Sequence, residues 1–153
     1  MRRALLAASV LVLGACSGGG DGADLTLTLS ADGQAVTVTL ANTSSESIRV
    51  VRPTVTPNFV LLVITDADGV ELPYLGTYKE LVPLTEDGFA TLEPGDSTAA
   101  EFDLGILFPL ETGDYTLAAE YRNPELGTHQ GTSAVIFEPG EGIVASPITV
   151  TTP

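Results

Sequence analysis

The chain has 153 residues, with one cysteine, no tryptophan, 20 acidic and six basic side chains, and a formal charge of −14. So few Lys and Arg cannot neutralise a phosphate backbone, which excludes nucleic-acid binding and electrostatic attraction to an anionic lipid surface. The length suits one domain, and a lone cysteine excludes an internal disulfide.

The chain opens "MRRALLAASVLVLGAC": two arginines, an apolar run from Ala4 to Val12, and small residues ahead of a cysteine. That is the layout of a secretory signal, and the run is shorter than the ~20 residues a membrane-spanning helix needs. The stretch Leu13-Gly14-Ala15-Cys16 resembles the lipobox of bacterial lipoproteins. The resemblance implies cleavage between Ala15 and Cys16, a diacylglycerol thioether on the Cys16 sulfur and an acyl chain on its new amine. Residues 1–15 are then the signal peptide, and the membrane is a partner through the lipid on Cys16. Each buried methylene contributes ~0.8 kcal/mol, so two or more chains make a stable anchor. Ser17 stands where an aspartate would favour inner-membrane retention, which points to the outer membrane in a host with two membranes.

Processing removes Arg2 and Arg3 and takes the formal charge from −14 to −16. The acids are spread along the chain, which favours solubility in a salty or extracellular setting over binding of a cation or a basic partner. "SGGGDGA" after Cys16 has little to pack and reads as a flexible tether, so residues 16–23 are lipidated cysteine and linker. Fully stretched, that heptapeptide reaches ~25 Å, which keeps the domain at 24–153 close to the membrane.

Strands follow in order. "DLTLTLS" and "QAVTVTLAN" alternate Leu25, Leu27, Leu29 and Val36, Val38, Leu40 with threonines, a period of two that marks half-buried strands. "ADGQ" between them reads as a hairpin turn with Gly33 left-handed. "SESIRVV" is a third strand, and the apolar run "NFVLLVIT" suits a central strand covered on both sides. "STAAEFDL" places Ala100, Phe102 and Leu104 on one face. "DYTLAAEYR" turns Tyr115, Leu117, Ala119 and Tyr121 inward and Glu120 and Arg122 outward. "SAVIFE" and "SPITVTT" close the series. "YKELVPL" has room for one helical turn before Pro83. The pattern predicts an all-β chain, a single immunoglobulin-like antiparallel sandwich of about seven to nine strands. Tyr115 is read as core packing, with a tyrosine corner as the alternative.

"DADG", residues 66–69, poses the main chemical question. An EF-hand-like loop starting at Asp66 has Asp68 at its third position, but Val70 stands at the fifth and Thr77 at the twelfth. Two ligands do not replace a calcium hydration shell, so the stretch is read as a turn, with "VELPYL" as its second flanking strand.

A family resemblance emerges from the folded part. "ANTSSESIRVV", then "LLVITDADGVELPYLGTYKELVPLTEDGFATLEPGDSTAAEFDLGILFPLETGDYTLAAEYR" and "SPITVT" resemble the β-sandwich region that precedes the catalytic domain of deuterolysin-type (peptidyl-Lys) zinc metallopeptidases. The shared features are turns and core positions over residues 25–151: "DG" with "PY.G", "L.PG.S", "F.L" and "G.Y.L…Y". That family's catalytic half carries an HExxH helix, which is absent here, so none of its zinc ligands carries over. "LEPGDS…G.Y" also resembles bacterial proteinase-inhibitor-like sandwiches.

Little in the sequence suggests a reactive centre. His129, the single histidine, sits in the polar loop "ELGTHQGTS" and is read as solvated. One histidine needs carboxylate partners to hold zinc, and no GxSxG elbow presents a serine for a triad. Glu86 with Asp87, and Glu138 with Glu141, lie in glycine-flanked turns as solubilising acids. "LEPGDS" and "FEPGEG" lack the lysine and helix of a phosphate loop. "GILFPL" is read as core, the alternative being an exposed patch for a partner. The expectation is a non-enzymatic envelope lipoprotein, without cofactor or metal, acting as a binding or structural module. The alternative is an inhibitor or accessory protein of a secreted peptidase. Leu75–Thr91 and Asn123–Ser133 are the candidate binding loops.

Overall fold

The computed structural model describes residues 25–53, 59–76, 86–122 and 142–153. The leader, Cys16 and the tether lie outside the described residues, as do "YKELVPL", the 123–133 loop with His129, and "SAVIFE".

Nine strands are formed among the described residues: β1 (Leu25–Asp32), β2 (Ala35–Asn42), β3 (Ile48–Val51), β4 (Val60–Thr65), β5 (Phe89–Leu92), β6 (Ser97–Asp103), β7 (Gly113–Tyr121), β8 (Ile143–Val144) and β9 (Ile148–Thr152). All their pairings are antiparallel. One sheet has the order β1-β2-β6; β3 and β5 form a two-stranded ladder; β7 pairs with β4 on one side and with β8 and β9 on the other.

The inward positions of both larger sheets supply one core. Leu25, Leu27, Val36, Val38, Leu40 and Phe102 come from the first sheet, and Val60, Leu62, Ile64, Tyr115, Leu117, Ala119, Tyr121 and Val150 from the other. This is an all-β, sandwich-like fold, built on the two-residue alternation in the sequence.

The β1–β2 hairpin has the expected two-residue loop. Asp32 pairs with Ala35, and Gly33 has φ 60°, a backbone region open to glycine.

β4 alternates rather than being covered evenly. Val60, Leu62 and Ile64 are buried, while Leu61 and Val63 are half-exposed. The expected strand "VELPYL" reduces to one bridge, Thr65 to Glu71. Pro73 has no N–H with which to extend a ladder, and Leu72 and Tyr74 pack on the core instead.

Two tyrosines of β7 anchor their hydroxyls on the backbone. The Tyr115 hydroxyl donates to the Glu111 carbonyl (3.2 Å) and accepts from the Glu111 N–H (3.0 Å). That is a tyrosine corner at the start of β7, so the core-packing reading of Tyr115 was incomplete: the ring is buried and its hydroxyl closes the corner. The Tyr121 hydroxyl, at the far end of β7, donates to the Val51 carbonyl at 2.5 Å. Burial pushes the Tyr121 pKa well above the usual tyrosine range, outweighing the hydrogen bond to Val51.

Tyr121→Phe is expected to lower stability by about 1–3 kcal/mol, because a buried carbonyl loses its donor. Because the folded-state pKa is raised, the unfolded chain releases the proton first. Wild-type stability therefore falls as pH rises above ~10, and the difference from Tyr121→Phe shrinks. Denaturant titrations of both proteins at pH 8 and pH 11 check this; a constant difference would refute it.

Candidate functional site

The tight turn at residues 66–70 uses its first aspartate internally. Asp66 Oδ1 accepts from the backbone N–H of Asp68 (3.0 Å) and of Val70 (2.8 Å). The Asp66 N–H donates to the Val70 carbonyl at 3.0 Å, and the Gly69 N–H to the Asp66 carbonyl at 3.1 Å. Gly69, at φ 80°, completes the reversal. An Asx-type turn of this kind needs no ion, and among the described residues no group of three or more His, Cys, Asp or Glu is placed to hold a metal. Millimolar calcium is therefore expected to leave the melting temperature unchanged; a rise of several degrees in a calorimetric scan would overturn the turn reading.

At the same end of the sandwich, β6 runs into one helical turn, α1 (Leu104–Leu107), which the strand pattern of the sequence does not announce. Asp103 caps it, its Oδ1 accepting from the Gly105 N–H at 2.9 Å, as an N-cap aspartate does. The Leu104 N–H donates to the Gln34 carbonyl of the β1–β2 hairpin (2.9 Å), and the Leu75 N–H to the Leu107 carbonyl (2.7 Å). "GILFPL" thus divides. Leu107 and Phe108 enter the core, Leu110 packs against it, and Ile106 is left 72% exposed. Leu75, beside α1, is 58% exposed. Asp32, Asp103 and Glu111 are exposed around them.

The opposite end holds the start of β1 and the polar groups that sequence reading did not single out. Asn42 is 1% exposed and sits where the β2–β6 ladder gives way to β3–β5. Its Nδ2 donates to the carbonyls of Glu46 (2.7 Å) and Leu92 (2.9 Å). Its Oδ1 accepts from the Ser44 N–H (2.9 Å) and Oγ (2.8 Å). Nearby, Glu120 accepts from the Arg122 Nε at 3.1 Å and from the Gly142 N–H at 3.0 Å. A Cβ on Gly142 would come within 2.4 Å of Glu120 Oε1 and 2.7 Å of the Tyr121 carbonyl oxygen, so only glycine fits there. Arg49 lies over the Phe89 ring at 3.8 Å. "ANTSSE" is a readable Asx/Ser-turn signature, whereas nothing in the sequence marks Gly142.

The sequence-derived candidates are not gathered into one site. Ala15, Cys16, His129, Glu138 and Glu141 lie outside the described residues. Asp87 is exposed on the 3-10 turn Glu86–Gly88. Of the candidate loop Leu75–Thr91, Leu75 lies at the α1 end, while the Gly88 carbonyl binds the Arg52 N–H (2.9 Å) beside β3. No helix among the described residues is long and apolar enough to cross a membrane.

Comparison with known proteins returns no protein-family model that matches the chain. No curated protein matches it either. Among the described residues Gly69 and Gly95 turn the chain, while Tyr74, Phe102, Leu104, Tyr115 and Tyr121 belong to or pack on the core.

Proposed function

We propose that the chain is an exported lipoprotein. In this reading a lipid on Cys16 holds a non-enzymatic, immunoglobulin-like sandwich close to the outer face of a membrane, where it acts as a binding or structural module of the cell envelope. The observation that carries the reading is "LGAC" with a Gly/Ser-rich stretch behind it, leading directly into a first strand at Leu25. The strand order β1-β2-β6 against β4-β7-β9 and the Tyr115 corner support the immunoglobulin-like assignment. The use of Asp66 within its own turn argues for a scaffold rather than an ion-binding loop.

Intact-mass analysis of the chain from its own membranes tests this. The expected mature form begins at Cys16 and carries a diacylglycerol and an acyl chain. Cys16→Ala is expected to leave the chain unlipidated and to move it from the detergent phase to the aqueous phase in a phase separation. A free thiol on Cys16 in the wild-type membrane fraction would refute the reading.

A further inference from the structure

The α1 end of the sandwich places exposed apolar side chains on an acidic surface. Ile106 and Leu75 are 72% and 58% exposed and are brought together by the bond between the Leu75 N–H and the Leu107 carbonyl (2.7 Å). Single exposed apolar residues are ordinary; adjoining large ones are less so. α1, which carries Ile106, is pinned on both sides. Leu104 and Leu107 are buried below α1, the Asp103 cap and the Gln34 carbonyl fix its start, and Ile106 is left pointing outward. An anchor that is already ordered loses little entropy on binding.

Among the described residues the rim is acidic. Asp32 and Asp103 both flank Ala35 in the ladder, and Glu111 follows the α1 segment. The described cations, Arg49, Arg52 and Arg122, are all at the other end of the strands. Two copies of this end would repel each other, and an anionic lipid surface would be repelled as well. What fits an apolar centre inside a carboxylate rim is the complementary arrangement.

We propose that this end docks a cationic, amphipathic segment of a partner protein. A large apolar side chain seats against Ile106 and Leu75, and Lys or Arg side chains face Asp32, Asp103 and Glu111. β1 runs from Leu25 to Asp32, so the patch lies ~25 Å along the strand from the tether side. That it faces away from the membrane rests on the lipoprotein reading; that it binds such a segment does not.

The test uses the mature, lipidated chain in zwitterionic nanodiscs and a fluorescent peptide of alternating Lys and Leu, read by anisotropy against empty discs. A Lys-Ser peptide of equal charge is the control. The Lys-Leu peptide is expected to bind at least tenfold tighter than the Lys-Ser peptide. Ile106→Asp is expected to weaken the Lys-Leu peptide about tenfold, and Leu75→Asp at least threefold. Val144→Asp, which adds the same charge at a position 62% exposed on β8, should stay within twofold of wild type. The substitution at Ile106 is diagnostic because it adds a carboxylate: attraction by charge alone would become stronger. Unchanged or tighter binding by Ile106→Asp, or equal binding of the two peptides, overturns the proposal. So does a fall of more than ~5 °C in the melting temperature of Ile106→Asp, since a free surface position tolerates that change. If Cys16 carries no lipid, the same titrations are run on the chain free in buffer with the same expected ratios, so that outcome removes only the outward orientation.

Discussion

Asn42→Ala is expected to lower the melting temperature by roughly 5–10 °C. The side chain makes four hydrogen bonds, two as donor and two as acceptor, and is buried to 1% exposure. Alanine leaves the buried Leu92 carbonyl without its donor and frees Ser44 to leave its turn, while the exposed Glu46 carbonyl keeps the Ser44 hydroxyl at 2.8 Å. At about 1–3 kcal/mol for a buried group left unpaired, with the Ser44 turn loosened as well, the loss is about 2–3 kcal/mol. A domain of this size loses a few degrees per kcal/mol. Asn42→Asp keeps acceptors for Ser44 but has no hydrogen to donate to either carbonyl when ionised, so it should remain strongly destabilised. A calorimetric shift below ~3 °C for Asn42→Ala would show that the junction between the two ladders does not depend on this side chain.

Phe108→Ala is expected to cost about 3–5 kcal/mol. Phe108 is 1% exposed and meets the edge of Tyr74 in a T-shaped pair, with ring centroids 5.5 Å apart and planes at 72°. It also ends α1, its N–H donating to the Leu104 carbonyl at 2.8 Å. Removing the ring opens a cavity under α1 and takes away what Tyr74 packs on. Phe108→Leu fills most of that volume and should cost less than about 1.5 kcal/mol. Urea unfolding monitored by tyrosine fluorescence measures both; equal midpoints for Ala and Leu would mean that the site collapses around the missing ring.

The parts of this fold that were readable in the sequence are those governed by a period of two. Leu25 to Leu40 and Tyr115 to Tyr121 alternate regularly and their inward residues are the buried ones, except Leu29, which is only partly buried towards the hairpin end of β1, and the turns at Gly33 and Gly69 stand where glycine permits positive φ. Three features were hidden, each for a physical reason. α1 is one turn long, too short to show a helical period, and is held by Asp103 and by the distant Gln34 and Leu75 rather than by propensity. "VELPYL" has alternation but also Pro73, and the missing N–H prevailed. The Tyr115 corner differs from an ordinary buried tyrosine only in where its hydroxyl lands, four residues upstream at Glu111. At the α1 end, Ile106 and Leu75 are indistinguishable from core residues by type. Their exposure follows from the direction α1 takes after its cap, a tertiary fact. The lipobox is the opposite case, since its information is entirely local.

The ladders have a kinetic consequence. Among the described strands only β1 and β2 are joined by a tight hairpin; β2 pairs with β6 from Ala35 to Asp103, and β4 with β7 from Val60 to Tyr121. Partners so distant along the chain meet slowly, on a timescale of milliseconds to seconds for topologies of this kind. Leu117 of β7 and Val150 of β9 both belong to the core, so the described core is complete only once β9 has paired with β7. On the proposed export route, that delay keeps the polypeptide loose enough to pass through a narrow channel and defers its collapse to the far side.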